Sequence, residues 1–296
     1  MEPELSYPTA TPAEAAAPAA ASAVAVPAYP TLKESWAVLG WYLLAMVVTL
    51  IPLFLLMAWQ RDKPAEAVGV VLGQLGQAGI IWWLLRRAGA RAAPVQWIGP
   101  GPLRPVLLLL VPLTVCVALS LTPLAWLQLP SWGVEQALTR LMQQPLLALL
   151  LVGVLAPVLE EWLFRGVLLP GLARNYGPTK AILQTSLLFG IIHFNPSQSL
   201  SAFLIGLFLG WVYLRTRSLW ACILVHATNN ILSWASVYWT LPGSDWQQAV
   251  TAVQPWEFAA IGAATLGAAA GLAYLHRLTR VAAAGAQPAT PATLPA

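Results

Sequence analysis

Apolar stretches of about 20 residues, the length that crosses a hydrocarbon core of roughly 30 Å, follow one another along almost the whole chain. Eight such spans can be drawn, at 36–59, 66–86, 105–128, 146–172, 179–195, 199–216, 219–241 and 255–276. They predict an all-α, polytopic helical membrane protein with a single membrane domain at 31–281. Residues 1–30 are rich in Ala and Pro, carry Glu2, Glu4 and Glu14, and are interrupted by Pro18, Pro27 and Pro30. They lack the basic n-region and unbroken apolar h-region of a signal peptide and read as a disordered tail, as do 282–296. Pro170-Gly171 predicts a bend or an early end in the fourth span. Small-residue pairs at GxxxG spacing, Gly69/Gly73, Gly206/Gly210 and Gly267/Gly271, predict close helix approaches.

Charge adds an orientation. Numbering the sides alternately, one collects Lys33, Arg86, Arg87, Arg91, Arg104, Arg174, Lys180, Arg215, Arg217, Arg277 and Arg280, and the other only Arg61, Lys63 and Arg140. The positive-inside rule then places both termini in the cytoplasm of a multi-pass protein of the cell membrane. Trp59, Trp126, Trp132, Trp239, Trp246 and Trp256 gather near the opposite ends of the spans, as an interfacial anchoring belt does.

Composition agrees: 58% of the 296 residues are hydrophobic and 9% charged, with a mean hydropathy of +0.70, far from the roughly 25% charge of soluble domains. The net charge of +4 sits in inter-span loops rather than in a basic run, so nucleic acid is not an expected partner. Cys116 and Cys222 lie inside apolar stretches without metal or redox spacing and read as small core residues.

Against this background the polar residues inside the spans stand out. Glu160 and Glu161, with Arg165, interrupt the fourth span. A charge near mid-bilayer costs at least about 2.5–3.5 kcal/mol, which makes the pair a functional-site candidate. Glu161 and Arg165 share a helix face, four residues apart, whereas Glu160 is turned about 100° away and has no local partner. His193 lies four residues after Phe189; His226 lies four before Asn230, with Asn229 turned aside. At about 1.5 Å per residue from the basic end of each helix, Glu160, His193, His226 and Asn230 reach comparable depths of about 14–21 Å. They are expected to line one polar cavity open to the cytoplasm.

Two chemistries suit such a set. Glu160 with His193 could activate a water while His226 and Asn230 stabilise an oxyanion. Alternatively, Glu160, His193 and His226 could hold a Zn²⁺ ion with a water in its open position. The HExxH spacing of soluble zinc proteases and the GxSxG context of serine hydrolases are both absent. The same residues can also serve packing alone, or an ion relay in a transporter.

Glu160, Glu161 and Arg165 match an EExxxR motif, Phe189 and His193 an FxxxH motif, and His226 and Asn230 an HxxxN motif. In this order, each within an apolar span, they resemble the CPBP family of intramembrane proteases, which is similar to type II CAAX prenyl endopeptidases and to Abi immunity proteins. The resemblance covers about 146–241. It implies an all-α membrane fold with a cytoplasm-facing cavity and hydrolysis of a peptide bond in a membrane-tethered substrate. Glu160 would be the base, His193 its partner, His226 and Asn230 the oxyanion site, and Glu161, Arg165 and Phe189 supporting residues. It implies either no cofactor or Zn²⁺. Non-catalytic immunity or scaffold proteins are the alternative within the same family.

Overall fold

In lipid each backbone N–H and C=O must find its partner within its own segment or a closed barrel, so an apolar chain of this kind folds as helices. The computed structural model describes residues 26–59, 66–99, 103–130, 141, 143–240 and 255–285. Eight principal helices are found among them: α1 (Leu32–Trp59), α2 (Glu66–Ala88), α3 (Leu103–Leu121), α4 (Pro145–Tyr176), α5 (Pro178–Ile191), α6 (Pro196–Thr216), α7 (Leu219–Thr240) and α8 (Pro255–Gly285). No strand occurs among the described residues; one isolated bridge joins Tyr29 to Ala92. The chain is an all-α, multi-pass membrane protein.

Five helical stretches are long and apolar enough to cross a membrane: Val68–Arg91, Arg104–Leu127, Pro145–Tyr176, Pro196–Thr216 and Pro255–Arg280. The other expected spans differ for physical reasons. Helix α5 has 14 residues, about 21 Å, too short to cross alone. Helix α7 is diluted by His226, Asn229 and Asn230, and side chains of α1 beyond Ile51 lie outside the described residues. Leu75, Leu108 and Leu266 are more than half exposed in the middle of their helices, a placement suited to lipid and not to water.

Helix α4 is the central element. Its residues enter one apolar cluster with α1, α2 and α5, through Leu163, Phe164 and Leu168, and another with α3, α6, α7 and α8, through Leu169 and Leu172. The expected bend at Pro170 does not end it. Instead α4 carries two π-helical stretches, Leu149–Leu155 and Trp162–Leu168, each ending two residues before a proline, Pro157 or Pro170. A proline has no N–H and clashes with the carbonyl four residues back. The turn widens, and Ala156 and Leu169 donate to Leu151 and Phe164, five residues back.

The expected tails lie outside the described residues except at their inner ends. Helix α8 continues to Gly285. Residues 27–34 cross the end of α4: Ala28 N–H donates to Asn175 Oδ1 at 3.0 Å, Asn175 Nδ2 donates to the Ala28 and Pro30 carbonyls, and Arg91 pairs with Glu34 at 2.9 Å. A Cβ on Gly171 would collide with the Tyr29 carbonyl. Arg61, Lys63, Arg140, Trp132 and Trp246 lie outside the described residues, and Trp59 and Trp239 are described by their backbone alone.

Two of the three GxxxG pairs seat a neighbouring helix. A Cβ on Gly206 would lie 3.1 Å from Ser186 and one on Gly210 3.2 Å from Ile182, both on α5; Gly267 and Gly271 meet Cys116 and Leu113 of α3 in the same way. The remaining pair does not, since Gly73 faces open space, and α2 approaches α1 at Gly76, against Thr49. Gly206→Val should therefore destabilise the protein by about 1–3 kcal/mol through overpacking, while Gly73→Val should change stability by less than about 0.5 kcal/mol. Thermal unfolding of both variants in detergent checks this; equal midpoints would refute the assignment.

Candidate active site

The polar cluster is built on the six α-helical residues Ala156–Glu161 of α4, between the two π-helical stretches. Because Pro157 donates nothing, the Val152 carbonyl, five residues back in the π-helical stretch, needs a donor from elsewhere, whereas that of Leu151 already accepts from Ala156. Asn230 Nδ2 of α7 donates to the Val152 carbonyl at 2.9 Å, and Gln74 Nε2 of α2 donates to that of Leu151 at 2.7 Å. These bonds clamp α4 between α2 and α7 about two turns before the glutamates. One N–H of the Asn230 amide is thereby committed to structure and one remains.

Glu161 is fully buried and its Oε1 accepts two charge-assisted bonds, from Arg165 Nη1 at 2.9 Å and from His226 Nδ1 at 2.8 Å. Arg165 is also fully buried; its Nη2 donates to the Gly206 carbonyl of α6 at 3.0 Å, and its guanidinium lies 4.9 Å from the Phe189 ring centroid. Gly206 thus both lets α5 approach and offers its carbonyl to the arginine. With Nδ1–H given to Glu161, His226 turns Nε2 toward Glu160, whose Oε2 lies 3.8 Å away. Glu160 Oε2 is buried and has no protein hydrogen-bond partner. The groups form a line: Arg165, Glu161, His226, Glu160.

Charge counting constrains this line. One guanidinium and two carboxylates leave one negative charge, so the buried cluster is neutral when it holds one further proton, on His226 Nε2 or on Glu160. An uncompensated charge here would carry a heavy desolvation cost.

His193 lies in the turn after α5 and is half-exposed. Its Nδ1 bonds the Phe189 carbonyl at 2.8 Å; an acceptor carbonyl fixes the proton on Nδ1 and leaves Nε2 free. Phe189 packs against both imidazoles, with T-shaped ring contacts at 5.1 Å to His193 and 5.5 Å to His226. The structure therefore gathers Glu160, Glu161, Arg165, Phe189 and His226 directly and brings His193 to the same place through Phe189. His193 does not touch Glu160, the partner expected for it; the imidazole beside Glu160 is that of His226. Among the described residues no three His, Cys, Asp or Glu side chains converge into a metal-holding group. The zinc set Glu160, His193 and His226 is not gathered into one such group, and no step below is routed through a metal.

Four residues near the site were not singled out in the sequence. Gln74 and Gln77, both buried in α2, had a legible signal as polar residues three apart in an apolar span. Tyr42 of α1 is close enough to Glu160 to interact with its charge, and a lone tyrosine in an apolar span gives no such signal. Pro157, the reason for Asn230's bond to α4, is itself plain in the sequence. The expected cavity also differs: the 660 Å³ cavity described lies at the basic end of the bundle and is lined by none of Glu160, Glu161, His193, His226 and Asn230.

Residues 142–232 match the family model described as type II CAAX prenyl endopeptidase Rce1-like. The matched segment runs from the start of α4 into α7 and contains every motif residue named above. No curated protein and no solved structure matches the chain.

Removing one partner of a buried, hydrogen-bonded ion pair costs about 3–5 kcal/mol, whereas replacing both with apolar groups costs far less. Arg165→Met alone should accordingly be more destabilised than the double variant Arg165→Met/Glu161→Leu, measured as the folded fraction surviving heating in detergent. If the double variant proved the worse, the pair would contribute more than mutual charge compensation.

Proposed function

We propose that the protein is an intramembrane endopeptidase that hydrolyses a peptide bond of a membrane-tethered substrate. The observation that carries this reading is Glu160 Oε2, buried and without a hydrogen-bond partner, 3.8 Å from an imidazole nitrogen whose ring is held from behind by Glu161. The Rce1-like match over residues 142–232 supports the same reaction class.

In the proposed reaction a water between Glu160 and the Nε2 atoms of the two histidines loses a proton to Glu160 as its oxygen bonds the peptide carbonyl carbon. His193, half-exposed and one ring away, orients that water rather than the carboxylate. His226, donating from Nε2, and the uncommitted N–H of Asn230 bond the oxyanion. The C–N bond then breaks, and the proton held by Glu160 passes to the departing nitrogen, leaving a carboxylic acid and an amine. Glu161 and Arg165 touch no reacting atom; they position His226. Entry from the cytoplasm follows from placing the basic ends of the helices on that side.

A second reading has an observation of its own in favour: His226 Nδ1 and Asn230 are already used to bind α7 to α4, as they would be in a non-catalytic membrane scaffold. The two part at Glu160. Glu160→Gln keeps the shape of the side chain but cannot act as a base, and should lower cleavage by about 10²-fold or more while the protein still folds and inserts. Comparative membrane proteomics of cells carrying wild type or Glu160→Gln reads this as peptide termini made only by wild type, on the cytoplasmic side. Unchanged termini with an unchanged phenotype would support the scaffold and sink the protease.

Zinc provides a further check on mechanism. Purified protein should show no stoichiometric zinc that is lost in both His193→Ala and His226→Ala. One tightly bound zinc removed by either change would overturn the metal-free route.

A further inference from the structure

The basic end of the bundle holds a cavity of about 660 Å³, within the size range of small-molecule and headgroup sites. Three arginines line it: Arg174 from the last turn of α4, Arg215 from the last turn of α6, and Arg217 just beyond it. No acidic residue is among the lining, and none of the three is paired with a carboxylate among the described residues. Arg215 lies 5.7 Å from the ring of Trp211. Arg217 takes a left-handed backbone conformation, φ 50°, as the cap of α6, where a glycine would be the unstrained choice.

The remaining wall points to the same ligand class. Thr179 lines the cavity in the first turn of α5, where the backbone N–H groups lack intrahelical acceptors and the helix dipole favours an anion. Apolar cover comes from Ile182 and Trp211. The end of α4, the start of α5 and the end of α6 all meet here, at the level where lipid headgroups lie. Pro170 and Arg174 are 10 to 14 residues beyond Glu160, about 15–21 Å along α4, with Leu168, Leu169 and Leu172 fully buried in the intervening turns. The cavity and the polar cluster are separate sites.

We propose that this cavity is a phosphate site that holds the headgroup of an acidic phospholipid. Three unpaired guanidiniums and a helix N-terminus select an anionic headgroup over a zwitterionic one, and the Ile182 and Trp211 side chains supply the apolar border along which an acyl chain can run. Basic pockets between membrane helices bind anionic headgroups by this combination. The assignment does not depend on whether the protein cleaves peptides.

The test is native mass spectrometry of the full chain released from detergent in the presence of phosphatidylglycerol and phosphatidylcholine. Wild type should retain phosphatidylglycerol at least about five-fold over phosphatidylcholine. Arg174→Gln/Arg215→Gln/Arg217→Gln should bring the ratio to parity, and Arg174→Gln alone, at an exposed side chain, should lower it. Arg86→Gln/Arg87→Gln, which removes two arginines stacked on Trp82 and Trp83, should leave it unchanged. Equal retention of the two lipids by wild type, or an undiminished preference in the triple variant, would overturn the site. Should the triple variant fail to fold, an Arg174→Gln ratio equal to that of wild type would overturn it as well. A soluble source of phosphate is distinguished by adding millimolar inorganic phosphate. If phosphate binds through the same arginines and phosphatidylglycerol shows no preference, the lipid assignment is wrong.

Discussion

The cluster formed by Arg165, Glu161, His226 and Glu160 has to remain charge-balanced and hydrogen-bonded inside an apolar bundle, and much of the architecture serves that requirement. Glu161 and Arg165 are fully buried, so each group that meets them answers a desolvation cost. Arg165 draws on a carbonyl of α6, and Glu161 on an imidazole of α7. Both demands fix helix positions. The arginine can reach the Gly206 carbonyl only because α5 and α6 approach closely at that glycine, and His226 reaches Glu161 only if α7 lies against α4. What remains is Glu160 Oε2, buried without a protein hydrogen-bond partner and facing His226 Nε2.

The second constraint is backbone. Pro157 and Pro170 interrupt the ladder of α4 on both sides of the glutamates, and the helix answers with two π-helical stretches rather than with a break. A π turn exposes carbonyls that water would satisfy elsewhere and that lipid cannot. Asn230 takes that role and Gln74 adds a second donor to the Leu151 carbonyl, so the helix that carries the glutamates is gripped by α2 and α7 beside its first π-helical stretch. Rigidity at the site is thus supplied by neighbouring helices and not by the local propensity of α4.

Much of this was legible in the sequence, and the residues show why. The spans were visible as apolar runs of membrane length, and the Glu161–Arg165 pair followed from a four-residue spacing that holds on one helix whatever surrounds it. The Gly206/Gly210 and Gly267/Gly271 approaches were also legible. The misses share a cause, which is dependence on which helix lies next to which. Gly73 has the same spacing from Gly69 as the glycines of the productive pairs but faces open space, and α1 meets α2 at Gly76 instead. Tyr42 could not be distinguished from an anchoring tyrosine until α1 was seen beside α4. His193 was expected against Glu160 from comparable depth and from the family resemblance, yet depth carries no azimuth. Phe189 packs against both imidazoles, and His226 is the imidazole that faces the carboxylate.

Asn230 shows how structure and chemistry overlap in such a bundle. A carboxamide has two N–H bonds, and in a membrane helix each must be given to something. Here one goes to the carbonyl that Pro157 leaves without a donor. The other is thereby held in one direction, since an amide held at one N–H cannot rotate away to satisfy itself elsewhere. His226 follows the same logic, with Nδ1 anchored by Glu161 and Nε2 turned toward Glu160. His193 repeats it with the Phe189 carbonyl. In all three the bond that reads as packing is what aims the remaining polar atom, so the packing role of these residues is the precondition for a chemical role rather than evidence against one.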